Sequence, residues 1–103
     1  MEQFLYKLTS MRADMLSEGL TDRENEVIEN HAAYLSELKD KGVVKLAGRT
    51  LNTDESSFGV VIFEAENEKA ARLIMANDPA VKENVLAARL FPFRIAFMGN
   101  PEA

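Results

Sequence analysis

The chain has no cysteine and no tryptophan, one histidine, three prolines and five glycines in 103 residues. Without cysteine there can be no disulfide framework and no thiolate ligand or nucleophile. With a single histidine as well, a zinc site of the usual nitrogen and sulfur donors cannot be assembled, and the carboxylates form no recognisable ion-binding loop. No metal or cofactor is implied. The longest apolar run in the strand-like regions, Val60 to Phe63, is far too short to cross a bilayer. Met1-Glu2-Gln3-Phe4-Leu5-Tyr6-Lys7 lacks the basic-then-apolar order of a signal peptide, so the cytoplasm is the expected location. A net charge of −5 repels phosphate backbones and argues against nucleic acid as a partner.

What is present is ordinary globular material: 47% hydrophobic and 28% charged residues, which is enough for one core. The expectation is one domain over residues 1–103. Phe4 to Leu8 reads as a first strand, followed by an irregular stretch from Thr9 to Leu20 with room for a helical turn near Ala13 to Ser17. Thr21-Asp22-Arg23-Glu24 is a capping box, in which the Thr21 hydroxyl and the Glu24 carboxylate each answer the other's backbone N–H. It opens a long helix over about Asp22 to Lys41. Val27, Ile28, His31, Leu35 and Leu38 form one face of that helix, and Gly42 stops it.

Val43 to Leu51 and Phe58 to Ala65 read as two strands joined by the polar loop Asn52 to Ser57. Asn67 caps a second helix that must end near Asn77, because Pro79 disfavours helical geometry at Asp78. Asp78-Pro79 can then start one short turn. A last strand is expected from Leu86 to Phe97, bent at Pro92. The order strand, helix, strand, strand, helix, strand, with right-handed crossovers, predicts a ferredoxin-like βαββαβ α+β fold. Its single antiparallel sheet carries both helices on one face.

Two strands are apolar on both sides. Phe58, Val60 and Ile62 alternate with Val61, Phe63 and Ala65. Phe91, Phe93, Ile95 and Phe97 alternate with Leu86, Ala88, Leu90 and Ala96. Two helices cover only one face, so the other is expected to be covered by a second copy in a homodimer. The same strand order builds RNA-recognition domains. Here Ser56-Ser57-Phe58-Gly59-Val60 lacks the basic residue and one of the stacking aromatics those domains use.

His31 is the one residue on the apolar stripe that carries chemistry. An imidazole in such a place needs a hydrogen-bond partner, and a carboxylate would fix its tautomer and orient it as an acid or base. Asp78 is the candidate partner, although a helix cap alone would explain an aspartate there.

These segments taken together resemble the YCII-related (YciI-like) domain family. They are Thr21-Asp22-Arg23-Glu24, His31-Ala32-Ala33-Tyr34-Leu35, Gly42 to Gly48, Phe58-Gly59-Val60-Val61, Asn77-Asp78-Pro79-Ala80-Val81 and Phe91-Pro92-Phe93-Arg94-Ile95-Ala96. The resemblance implies a subunit that pairs into a dimeric α/β barrel, with His31 and Asp78 as the catalytic pair in a cleft. It also implies that Arg12, in the irregular segment, binds an anionic substrate group. Arg49, which follows Ala47-Gly48, is a second candidate for that role or a solvated strand end. The implied activity is a lyase- or isomerase-type proton transfer on a small molecule. The alternative is a non-catalytic binding or regulatory module that uses the same cleft.

Overall fold

A computed structural model describes residues 1–99. It contains β1 (Glu2–Ser10), α1 (Met15–Glu18), α2 (Asp22–Asp40), β2 (Val44–Arg49), β3 (Gly59–Ala65), α3 (Glu68–Asn77), α4 (Pro79–Lys82) and β4 (Leu86–Pro92). The strands form one antiparallel sheet in the order β2-β3-β1-β4. This is the ferredoxin-like α+β arrangement, with the helices on one face.

The local signals act where the sequence places them. Thr21 caps α2 with both halves of the capping box formed. Such a cap contributes about 1 kcal/mol. At the other end Gly42 takes the left-handed conformation (φ 77°). The Gly42 and Val43 amides donate to the Lys39 and Leu38 carbonyls, at 2.9 Å each. That is a Schellman stop, and a residue with a Cβ would be strained in it. Asn67 caps α3 through the Ala70 amide, and Asp78 leaves the helix in extended geometry (ψ 123°) just before Pro79.

The core lies between the sheet and the helices. Phe4, Tyr6, Leu8, Val61, Phe63 and Ala65 project from β1 and β3 onto Leu35 and Leu38 of α2 and onto Ala70, Ala71 and Ile74 of α3. A second buried group, Met15, Val27, Ala80 and Val85, ties the β1–α2 segment to α4. Leu86, Ala88 and Leu90 join the first group from β4, as the alternation predicts.

The last strand is shorter than the sequence suggests. It stops at Pro92 rather than running to Phe97. β4 is an edge strand, and a proline there supplies no N–H to continue the ladder. The chain then donates two hydrogen bonds to one residue: Phe93 N–H to the Gln3 carbonyl (3.1 Å) and Ile95 N–H to the Gln3 side-chain oxygen (2.7 Å). Phe93, Ile95 and Phe97 therefore do not form the strand face expected of them, and Phe97 is 96% exposed.

The open face of the sheet is mixed. Leu5 pairs with both Ile62 and Phe91, and these three with Val60 make a half-buried apolar strip. Cations edge the strip: Lys7 lies over the Phe58 ring and Arg89 over the Phe91 ring, each at 5.0 Å. Among the described residues no helix is long and apolar enough to cross a membrane.

Candidate active site

Asp78 sits at the joint between α3 and α4 and is fully buried. Pro79 forces that joint by breaking the helix, so the aspartate side chain turns back into the core as the cap of α4. Its Oδ1 accepts from the Ala80 amide at 3.0 Å. The cap is only part of its work. His31 Nδ1 lies 2.7 Å from Oδ1 and 2.8 Å from Oδ2, and the Tyr6 hydroxyl donates to Oδ2 at 2.7 Å. The cap and the histidine partner, alternatives at the level of sequence, are the same residue performing both roles.

The other donors fix the histidine tautomer. Asp78 already accepts an amide N–H and a phenol O–H, so Nδ1 donates its proton to the carboxylate, and in the neutral ring Nε2 is the acceptor. The His31 side chain is 15% exposed and the Asp78 side chain 0%. Asp78 thus lies behind His31, while His31 reaches the surface of a cleft.

That cleft has a volume of about 380 Å³, within the size range of small-molecule sites. Its walls come from five places: Ile28, His31 and Leu35 of α2; Met15, Leu16 and Leu20 of the segment before it; Leu8 and Ser10 of β1; Leu86 of β4; and the facing ends of β2 and β3 from Ala47 to Arg49 and from Ser57 to Val61. Small residues make the room. A methyl group added at Gly59 would stand 3.3 Å from the Gly48 carbonyl oxygen, crowding the junction of β2 and β3.

Among the described residues no aspartate or glutamate lines the cleft, and its titratable groups are His31 and Arg49. Arg49 is exposed at the end of β2 and forms no ion pair among the described residues, and its guanidinium makes one long hydrogen bond, 3.5 Å, to the Thr50 carbonyl.

Arg12 is not brought to the cleft. Its Nε and Nη2 clasp the Glu24 carboxylate at 3.0 and 2.7 Å, and Nη2 also donates to the Gly19 carbonyl at 2.8 Å. These bonds tie the β1–α2 segment to the start of α2. The Arg12 guanidinium, aided by the Thr21 amide, draws the Glu24 carboxyl down to about 2. In this arrangement the Arg12 guanidinium is engaged by the capping-box carboxylate of α2 and lies outside the cleft lining.

Sequence reasoning missed Tyr6. Its hydroxyl is an unusual feature at an inward position between Phe4 and Leu8, and a buried phenol must find a partner. Burial, and then the charge of Asp78, push the Tyr6 hydroxyl far above its ordinary range. Tyr34 is raised less, to about 12, by burial and then by Asp78, and its hydroxyl donates to the Ile74 carbonyl at 2.7 Å.

The fold and the histidine–aspartate pair define a ferredoxin-like domain with a small-molecule cleft. The profile of the YCII-related domain matches residues 7–94, and the chain belongs to that family. No curated protein matches it significantly. Among solved structures it resembles the 5-chloro-2-hydroxyhydroquinone dehydrochlorinase TftG from Burkholderia phenoliruptrix AC1100, determined with 2,5-dihydroxybenzoquinone. The identity is 25% over 89% of this chain and 93% of that one, with a TM-score of 0.60. It also resembles SnoaB, a cofactor-independent oxygenase from Streptomyces nogalater, at 16% identity over 93% of each chain and a TM-score of 0.47.

Proposed function

We propose that this chain is a small-molecule enzyme in which His31 moves a proton on a small hydroxylated ring, in a lyase- or isomerase-type step. The observation that carries this reading is the divided imidazole. One nitrogen is anchored by a fully buried carboxylate, and the other is left for an apolar cleft. A neutral imidazole held in one tautomer is a competent base near neutral pH. Nε2 takes a proton from the ring's C–H or O–H and the electron pair moves into the ring; either a leaving group then departs with an electron pair, or the double bonds shift and Nε2 returns the proton to another ring atom. The negative charge that builds on a ring oxygen is matched by Arg49, whose guanidinium suits a phenolate or carboxylate. The apolar walls favour a flat ring over a highly polar chain. The dehydrochlorinase with its bound dihydroxybenzoquinone supports rings of this kind as the first compounds to try.

The test is turnover of a panel of hydroxylated and chlorinated rings. His31→Ala and Asp78→Asn are expected to cut the rate by about 10²- to 10⁴-fold, the usual contribution of a positioned acid or base. Turnover that survives both substitutions overturns the reading. Saturable binding without turnover by the parent protein also overturns it, and favours a binding module.

The open sheet face supports a homodimer as the working unit. The strip of Leu5, Val60, Ile62 and Phe91 lies where no helix covers it, and a second copy would remove it from water. Sedimentation is expected to give twice the subunit mass, and a stable single subunit at low micromolar concentration overturns this.

A further inference from the structure

We infer that Tyr6 completes the His31–Asp78 pair as a positioning residue: a buried donor on β1 that fixes the Asp78 carboxylate and so sets how strongly that carboxylate holds the imidazole. This rests on His31 being the working group of the cleft, and its test reads the imidazole directly, with no substrate.

Packing does not explain the hydroxyl. Position 6 projects inward between Phe4 and Leu8, and its ring meets Phe63 edge-on at 5.5 Å and 68°. A phenylalanine would satisfy every one of those contacts. The hydroxyl has one partner, Asp78 Oδ2 at 2.7 Å, and the ring is 0% exposed, so water cannot substitute for it.

The surroundings of Asp78 make that one donor count. Among the described residues no lysine or arginine lies within ion-pair distance of Asp78; its sole charge-capable partner is His31. The groups facing it are Tyr6 from β1, His31 and Tyr34 from α2, and the Ala80 amide from α4. Tyr34 points its hydroxyl at the Ile74 carbonyl instead. Two side chains therefore share the carboxylate, and what one donates less the other must supply. Burial and the Asp78 charge keep the Tyr6 phenol protonated, so it acts as a constant donor.

The sequence holds one histidine and two tyrosines, which makes the test clean. The single imidazole of ¹⁵N-labelled protein is observed by NMR through its carbon-bound ring protons, at a pH where its signals have stopped moving. In Tyr6→Phe the carboxylate leans on His31 alone, so the Nδ1 nitrogen and its proton move downfield. Replacing tyrosine by 3-fluorotyrosine in a Tyr34→Phe background leaves Tyr6 as the one fluorinated residue. The more acidic phenol donates more strongly, and the same signals move upfield relative to unfluorinated Tyr34→Phe. Tyr34→Phe by itself leaves them where they are.

A folded Tyr6→Phe protein with unmoved signals would show that the hydroxyl merely fills a polar need of the core. If Tyr6→Phe does not fold, the fluorinated protein decides: no upfield movement overturns the inference. Movement in the same direction in both proteins overturns it too. Failure of these shifts leaves the turnover test of His31 standing on its own.

Discussion

Asp78 and Glu24 are built alike and do different things. Each carboxylate accepts a backbone N–H at the start of a helix, Ala80 for Asp78 and Thr21 for Glu24. Each also accepts from side chains brought from elsewhere. Asp78 is fully buried and its partners are a phenol and an imidazole. Glu24 is nearly covered as well, its side chain 12% exposed, but its partner is an arginine whose side chain is 37% exposed. The partners decide the outcome. Joined to an imidazole, Asp78 orders a ring that reaches the cleft. Joined to an arginine, Glu24 holds a loop, and that loop supplies Met15, Leu16 and Leu20 to the cleft wall. The same chemical unit orients an imidazole in one place and the enclosure in the other.

The contrast is sharpest when the two carboxylates are removed. Asp78→Ala strands a buried phenol, an amide and an imidazole together, and is expected to cost about 3–5 kcal/mol in urea denaturation, the range for breaking a buried pair. A cost near that of an ordinary surface change would mean that the three donors find other partners.

Arg12→Ala is the next largest effect. It is expected to lower the melting temperature less than Asp78→Ala and to weaken ligand binding by freeing the cleft wall. A direct substrate contact would instead abolish recognition of anionic ligands while leaving neutral ones unaffected. The pH dependence follows from Glu24, whose carboxyl is lowered from 4.5 to about 2. A group depressed on folding stabilises fully above its unfolded value, and the contribution is lost as pH falls toward the folded one. The difference in melting temperature between the parent and Glu24→Gln is therefore expected to be constant above about pH 5 and to shrink between pH 4.5 and 2. A difference that does not change over that interval would remove the carboxylate from the tether.

Thr21→Ala breaks the capping box alone and is expected to cost about 1 kcal/mol, leaving the NMR signals of His31 unchanged. Combining Asp78→Asn with Thr21→Ala should give additive losses within about 0.5 kcal/mol, since the two share no partner. A larger coupling would join the two regions that the comparison separates.

Much of this was legible from residue order. Apolar spacing, the Thr21–Glu24 box, Gly42 and the Asp78-Pro79 break located the helices within a residue or so. Alternation in β3 and the first half of β4 sorted the side chains into the two faces the sheet has, without saying which of them the helices cover. The histidine–aspartate pair was readable as a motif. The Arg12–Glu24 contact was not, because the partner lies twelve residues away across an irregular segment with no periodicity to place it. The last strand was read too long because alternation continues past Pro92 even though the ladder does not. Tyr6 passed as one more strand residue, since nothing local tells which inward side chain will meet a carboxylate 72 positions later.

Local rules, then, determined the elements, their order and which residues share a sheet face, because caps, proline geometry and side-chain period act over a few neighbours. Only the tertiary structure decided that Tyr6, His31 and Asp78 meet, that Arg12 is spent on Glu24, and that a cleft opens beside one nitrogen of a single histidine. Those outcomes depend on how far apart in space the packed sheet and helices hold groups that are distant in the chain, and hydrogen bonds of 2.7 Å permit almost no error in that distance.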